Sequence, residues 1–158
     1  MSLAHKLDKI DRKILEILQS NAKITNAQLS KDVGLSPAPT LERVKKLETM
    51  GIISSYHAKL DMDKIGLGVS TFVQVTLVGH NKSNIEIFVT EIKKIEEIIE
   101  CHHITGTGDF ILKVTAKDIA SYQRLMLDKV TEIPVVDSMQ SMVILSTFKD
   151  SKVLPIPY

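Results

Sequence analysis

SPAPTLERVKKLETM, residues 36–50, packs a helix start, an oily stripe and a basic face into one short segment. Ser36 is a good N-cap, because its hydroxyl can take an orphan amide of the first turn. Pro37 fits the first helical position, where no amide hydrogen is needed. Pro39 still lies in the first turn and is tolerated there. Leu41, Val44 and Leu47 recur every third residue and are expected to pack inward. Thr40, Arg43 and Lys46 recur at the same spacing on another face and are expected to point outward. Taken alone, the segment reads equally well as an ordinary amphipathic helix with a solvated charged face.

The preceding residues favour a more specific reading. Thr25 and Gln28 form a capping-box pair that opens a short helix through Asn26–Val33. Gly34 follows, where a chain turning sharply between helices often needs a positive φ. Leu35 plugs the corner. Two short helices joined by a tight glycine turn are the signature of a helix-turn-helix. In that motif the second helix enters the major groove, its N-terminal residues nearest the base edges. Downstream, residues 52–60 begin β-branched and partly alternating, which predicts a small strand or wing. Upstream, Leu7, Ile10, Ile14, Ile17 and Leu18 repeat at helical spacing and supply a third helix.

Composition sets the outer bounds. The 158 residues are 44% hydrophobic and 25% charged, as in a folded globular chain. No run of about 18 apolar residues offers a membrane span, and the N-terminus lacks the apolar core of a signal peptide. A single cysteine, Cys101, fits a reducing cytoplasm. Trp is absent and aromatics are sparse, which argues against stacking on single-stranded bases. The overall charge of +1 conceals an asymmetry. Residues 1–60 hold 10 Lys or Arg against 6 Asp or Glu, and the remaining residues hold 10 against 13. A basic head on an acidic body fits a DNA-binding module joined to one that does not touch DNA.

The organisation predicted is therefore a DNA-binding domain over 1–60, a connector over 61–68 and a second domain over 69–158. The connector, Asp-Met-Asp-Lys-Ile-Gly-Leu-Gly, has two glycines and alternating charges that break any helical pattern. Beyond it the elements alternate. Val69–Val78 is a β-branched strand. Ile85, Phe88, Val89, Ile92 and Ile95 mark an amphipathic helix. Ile98–Thr105 and Phe110–Thr115 read as strands, Asp118 caps a helix, and Val135–Phe148 contains a last strand. Strand, helix, strand, strand, helix, strand is the ferredoxin-like βαββαβ order, an α+β fold with two helices on one face of an antiparallel sheet. The uncovered face is expected to carry many apolar side chains and so to find a partner.

Ile104-Thr105-Gly106-Thr107-Gly108-Asp109 is the second informative stretch. Its glycines free the backbone to approach a ligand and present amide hydrogens, a nest suited to a carboxylate. Asp109 either answers a ligand ammonium or fixes the turn itself. The plain alternative is a β-hairpin turn.

Together, LDKIDRKILEILQSNAKITNAQLSKDVGLSPAPTLERVKKLETMGII, LDMDKIGLG and ECHHITGTGDFILKV resemble the Lrp/AsnC family, the leucine-responsive or feast/famine transcription regulators. The resemblance spans about Leu7 to Lys149. It implies an N-terminal winged helix-turn-helix and a C-terminal ferredoxin-like domain that senses small molecules, usually amino acids. It implies dimers formed through the C-terminal sheets and further assembly into octamers. The effector is expected where dimers meet, near Thr105–Asp109, with Asp109 matching the acidic residue of the family motif. The loop departs from the family where Thr107 replaces a frequent acidic residue and Gly108 a larger one, which changes the pocket's size and charge.

The DNA-contact candidates are Thr25, Ser36, Pro37, Thr40, Arg43, Lys45 and Lys46. Thr40 and Arg43 are expected at base edges, and Thr25, Ser36, Lys45 and Lys46 at phosphates. The effector candidates are Ile104, Thr105, Gly106, Thr107, Gly108 and Asp109. The expected partners are double-stranded DNA, an amino acid and further copies of the chain, with no cofactor and no membrane. An enzyme is disfavoured, because no nucleophile–base constellation is visible. A metal site from His80, Cys101, His102 and His103 is a weak alternative, since adjacent histidines on a strand face opposite sides. A ligand-free architectural DNA binder is the other alternative.

Overall fold

A computed structural model describes residues 7–157. The chain forms two compact units, Leu60–Phe148 and a head that runs up to Lys59 and takes in the residues from Lys149 onward. The tail thus belongs with the head, not with the second domain to which its position in the sequence assigned it. The Gln19 carboxamide accepts the Leu154 amide at 2.6 Å and donates to the Leu154 carbonyl at 3.2 Å. Lys59 pairs with Asp150 at 2.8 Å, and Ile156 packs against the head's core.

The head is built from α1 (Lys9–Ser20), α2 (Asn26–Val33) and α3 (Pro37–Thr49). Asp8 caps α1 by accepting the amides of Ile10 and Asp11, and Asp11 returns the bond to the Asp8 amide, a full capping box. Thr25 caps α2 by accepting the Gln28 amide at 3.2 Å. The predicted box is only half made there, because the Gln28 side chain turns forward to Asp32 at 2.7 Å. Gly34 ends α2 at φ 75°, the left-handed conformation that lets its amide and that of Leu35 bond back into the last turn. Ile14, Leu15, Leu29, Val33 and Leu47 form the buried core, flanked by Leu7, Ile10, Ile17, Leu18 and Leu35. The predicted strand over 52–60 does not form; those residues run irregularly after Gly51.

The second unit opens with a short turn of helix at Asp63–Ile65 and then follows the order read from the sequence. It contains β1 (Val69–Leu77), α4 (Lys82–Ile92), β2 (Ile98–His103), β3 (Phe110–Ala116), α5 (Ile119–Leu125) and β4 (Val136–Val143). The strands lie in the order β2-β3-β1-β4, each pair antiparallel. This is the ferredoxin-like α+β fold. Asn81 and Asp118 cap the two helices by accepting the amides of Asn84 and Ser121. Val73, Val75, Leu77, Phe110, Leu112 and Val114 point from the sheet onto Phe88, Ile92, Tyr122 and Leu125 of the helices.

The other face differs from expectation. Cross-strand register places Ser70, Phe72, Gln74 and Thr76 there with Ile111, Lys113 and Thr115, and with Ser138, Gln140 and Met142. At these paired positions the apolar Phe72, Ile111 and Met142 are set among polar side chains. Period-two alternation sends the valines of β1 and β3 to the helix side, so strands rich in Val give one oily face, not two.

Candidate functional site

The phase of α3 decides which side chains a groove would meet. Thr40 and Leu47 are fully buried, at 0% and 1% exposure. They lie seven residues apart, two helical turns, and define the inward side. The expectation for Thr40 is therefore corrected. It does not point outward, and its hydroxyl donates to the Ser36 carbonyl at 3.0 Å. Leu41, expected inside, is instead 43% exposed. Three-residue spacing drifts around a helix of 3.6 residues per turn, so the stripe holds at Leu47 and at Val44, which packs against the core, and leaves it at Leu41. The outward face carries Ala38, Leu41, Glu42, Lys45, Lys46 and Thr49. Of these the sequence reading had singled out Lys45 and Lys46 for DNA; the spacing of Thr40 and Leu47 is the signal that would have found the rest.

Ser36 sits at the N-cap but makes no side-chain cap bond. The reason is local. Pro37 and Pro39 have no amide hydrogen, so the third-position amide that a cap serine usually takes does not exist. Ser36 and Pro37 are both exposed at the tip of α3, and Thr25 is exposed at the start of α2. Asn26 ties the two helices by donating to the Pro37 carbonyl at 2.8 Å.

Arg43 is turned toward α1. One guanidinium nitrogen, Nη1, lies 2.6 Å from Asp8 Oδ2 and 2.7 Å from Asp11 Oδ1. The Asp8 carboxyl is held below the usual carboxylate range, chiefly by the Asp11 amide and then by Arg43. Behind α3, Tyr56 donates to Glu48 at 2.8 Å. Burial, with Glu48 beside it, pushes the Tyr56 phenol up to about 12, so it stays protonated as a donor.

In the second unit the loop between β2 and β3 presents Thr105, Gly106 and Thr107 to solvent, with Ile104 half-buried. Gly108 is buried against β1: a Cβ there would meet Gln74 Cγ at 2.5 Å. Gln74 reaches past it to donate to the Thr107 hydroxyl at 3.1 Å. Asp109 is only 6% exposed. Its Oδ2 accepts the Leu77 amide at 2.8 Å, and its Oδ1 lies 2.6 Å from His80 Nδ1. Of the two roles open to Asp109, the structure supports fixing the turn.

His102 and His103 do not converge. His102 lies 3.3 Å from Glu100, and His103 stacks on Phe110 with centroids 4.9 Å apart. Burial pushes the Cys101 thiol up, away from thiolate reactivity. Among the described residues no group of three or more His, Cys, Asp or Glu is placed to hold a metal ion. No helix among them is long and apolar enough to cross a membrane.

A helix-turn-helix head and a ferredoxin-like unit with a glycine loop define a two-part transcription regulator: one part for DNA, one for a ligand. Comparison with known proteins agrees. Residues 7–54 match the model of a winged helix-turn-helix DNA-binding domain, and residues 70–154 that of the Lrp/AsnC ligand binding domain. The leucine-responsive regulatory protein of Escherichia coli is 39% identical over 95% of this chain and 92% of its own length. That of Haemophilus influenzae is 40% identical over 94% of this chain and 89% of its own. A transcriptional regulator of Neisseria meningitidis, solved as an L-Met complex, superposes with a TM-score of 0.91 at 35% identity, covering 95% of this chain and 97% of that one. The chain belongs to the Lrp/AsnC family. It is a DNA-binding transcription regulator with a ligand-binding domain, and not an enzyme.

Proposed function

We propose that this regulator reads double-stranded DNA with the outward face of α3 and responds to an amino acid held at the Thr105–Asp109 loop between subunits. The DNA half of the reading rests on one observation, the burial of Thr40 and Leu47, which turns Lys45 and Lys46 outward. Lys45 and Lys46 meet phosphates there; Ser36, Pro37 and Thr25 lie at the exposed leading edge and fix the register. Ala38, Leu41 and Thr49 are the side chains left to face base edges, with Leu41 suited to a thymine methyl. Thr40 takes no part. Lys45→Ala is expected to weaken binding severalfold on every sequence and to lower the salt slope by about 1, as loss of one phosphate contact requires. Fluorescence anisotropy across a salt series checks it.

The effector half rests on the exposed Thr105-Gly106-Thr107 backbone, whose amides suit a carboxylate. A leucine-responsive name and an L-Met complex among the relatives support an amino-acid ligand. Copies associate through the polar-apolar sheet face around Phe72, Ile111 and Met142 into dimers, and the dimers into octamers. The ligand acts by preferring one assembly over another. A chain of this family that works on DNA is expected in the cytoplasm.

Thermal-shift measurement against the twenty amino acids tests the effector. Binding to the folded state raises stability with the logarithm of ligand excess. A rise with one or a few, lost in Thr107→Val, supports the loop as the sensor. A rise that survives Thr107→Val moves the pocket elsewhere. No rise with any amino acid favours an architectural DNA binder.

A further inference from the structure

We infer that Asp8, Asp11 and Arg43 form a lock between the N-terminus of α1 and the middle of α3, and that Arg43 serves DNA binding as a positioning residue rather than as a base or phosphate contact. The inference rests on the reading that α3 enters the major groove.

The geometry of the three side chains carries it. Arg43 and Lys45 are two residues apart, about 200° around the helix axis, so they point to nearly opposite sides. Lys45 faces outward; Arg43 faces α1. Its Nη1 lies 2.6 Å from Asp8 and 2.7 Å from Asp11. The four carboxylate oxygens of the pair all have donors. Asp8 Oδ1 takes the amides of Ile10 and Asp11 at 2.8 Å each, and Asp8 Oδ2 takes Arg43. Asp11 Oδ1 takes Arg43, and Asp11 Oδ2 takes the Asp8 amide at 3.3 Å. The capping box that starts α1 is therefore the same structure that receives α3.

Burial makes this more than a surface pair. The Asp11 side chain is 11% exposed and that of Arg43 32%. An arginine that left for a phosphate would abandon a largely desolvated carboxylate, and one exposed phosphate contact does not repay that. The lock also supplies something the core does not. Thr40 and Leu47 fix which side of α3 faces inward, and Asn26 holds its tip through the Pro37 carbonyl. The two acids of α1 grip it between those points, where a small rocking would swing Lys45 and Lys46 away from the groove.

The sign of an acid's removal separates this from simple electrostatics. Asp8→Asn deletes a negative charge from a DNA-binding head, so charge alone predicts tighter binding. Asparagine caps a helix as well as aspartate does, so α1 keeps its start. The lock predicts the opposite. The probe is a duplex of about 30 base pairs, roughly three helical turns, selected from a random pool by the unmodified protein. On it Asp8→Asn and Asp11→Asn should bind about tenfold more weakly, with the salt slope unchanged. Arg43→Ala should do the same, and Arg43→Lys, which reaches one carboxylate, should recover part of the loss. Helical circular dichroism at the assay temperature should match the unmodified protein for Asp8→Asn; this variant carries the test where Asp11→Asn loosens the head. Binding by Asp8→Asn as tight as or tighter than the unmodified protein overturns the lock. So does an Arg43→Ala variant whose salt slope falls as that of Lys45→Ala does. If Lys45→Ala itself changes nothing, α3 is not the DNA surface, and the parent reading fails together with the lock.

Discussion

Asp109→Ala should lower the melting temperature of the C-terminal unit by about 10–20 °C. The carboxylate is nearly buried and has a donor on each oxygen, the Leu77 amide and His80. Truncation leaves the Leu77 amide without its partner at the buried end of β1. A hydrogen bond to a charged group, together with the orphaned partner, is worth about 2–3 kcal/mol. For a unit of this size each kcal/mol moves the midpoint by about 4–8 °C. Asp109→Asn keeps one acceptor for Leu77 and should lose about 1 kcal/mol. Any effector response would vanish in Asp109→Ala, but through a slack loop and not through a missing ligand contact. A melting temperature equal to that of the unmodified protein would return Asp109 to the role of an acid facing the ligand. Differential scanning calorimetry reads it directly.

Leu47→Ala should abolish DNA binding while leaving the sheet intact. Leu47 is 1% exposed and touches no face of α3 that DNA could reach. It closes a core of which Ile14, Leu15, Leu29 and Val33 are the other buried members. Removing a buried leucine costs about 2–5 kcal/mol, the higher figures where the cavity cannot collapse. A head of this size has little to spare, because small domains bury a smaller share of their surface. Hydrogen exchange should show the amides of α1, α2 and α3 losing protection and those of β1 and β3 keeping it. DNA affinity within twofold of the unmodified protein would mean that the head tolerates the cavity, and that Leu47 matters less than its burial implies.

Much of this was legible in the sequence because the relevant rules are local. The order of the strands and helices in the second unit followed from β-branched runs, Asp118 and the glycine breaks. Gly34 announced the turn between α2 and α3. What escaped depended on contacts between distant residues. Helical phase was misjudged at Thr40 and Leu41, since a stripe at spacing three points to two adjacent faces and only packing against α1 and α2 chooses between them. A buried threonine can serve as core once its hydroxyl bonds back to the preceding turn, as Thr40 does to Ser36. Ser36 makes no side-chain cap bond, and Pro39 removes the third-position amide such a serine usually takes, a conflict visible in the sequence but not weighed there. The contact of Arg43 with Asp8 and Asp11 was out of sight because the two acids lie more than thirty positions upstream. The loop was found from its glycines. The dual use of Asp109 by Leu77 and His80 required the register of β1 against β3.

The return of residues 149–157 to the head has a consequence for the order in which the protein is made. A ribosome emits α1, α2 and α3 first, then the whole of Leu60–Phe148, and last the segment carrying Leu154 and Ile156. The nascent head therefore waits, with Gln19 lacking Leu154 and the flank that Ile156 covers still open, until the second unit has been made. A chain released early, anywhere beyond Phe148 but short of Leu154, would contain every helix and strand described above and still lack the segment that bonds Gln19. Completion of the DNA-binding part thereby waits on residues made after the whole of the second unit.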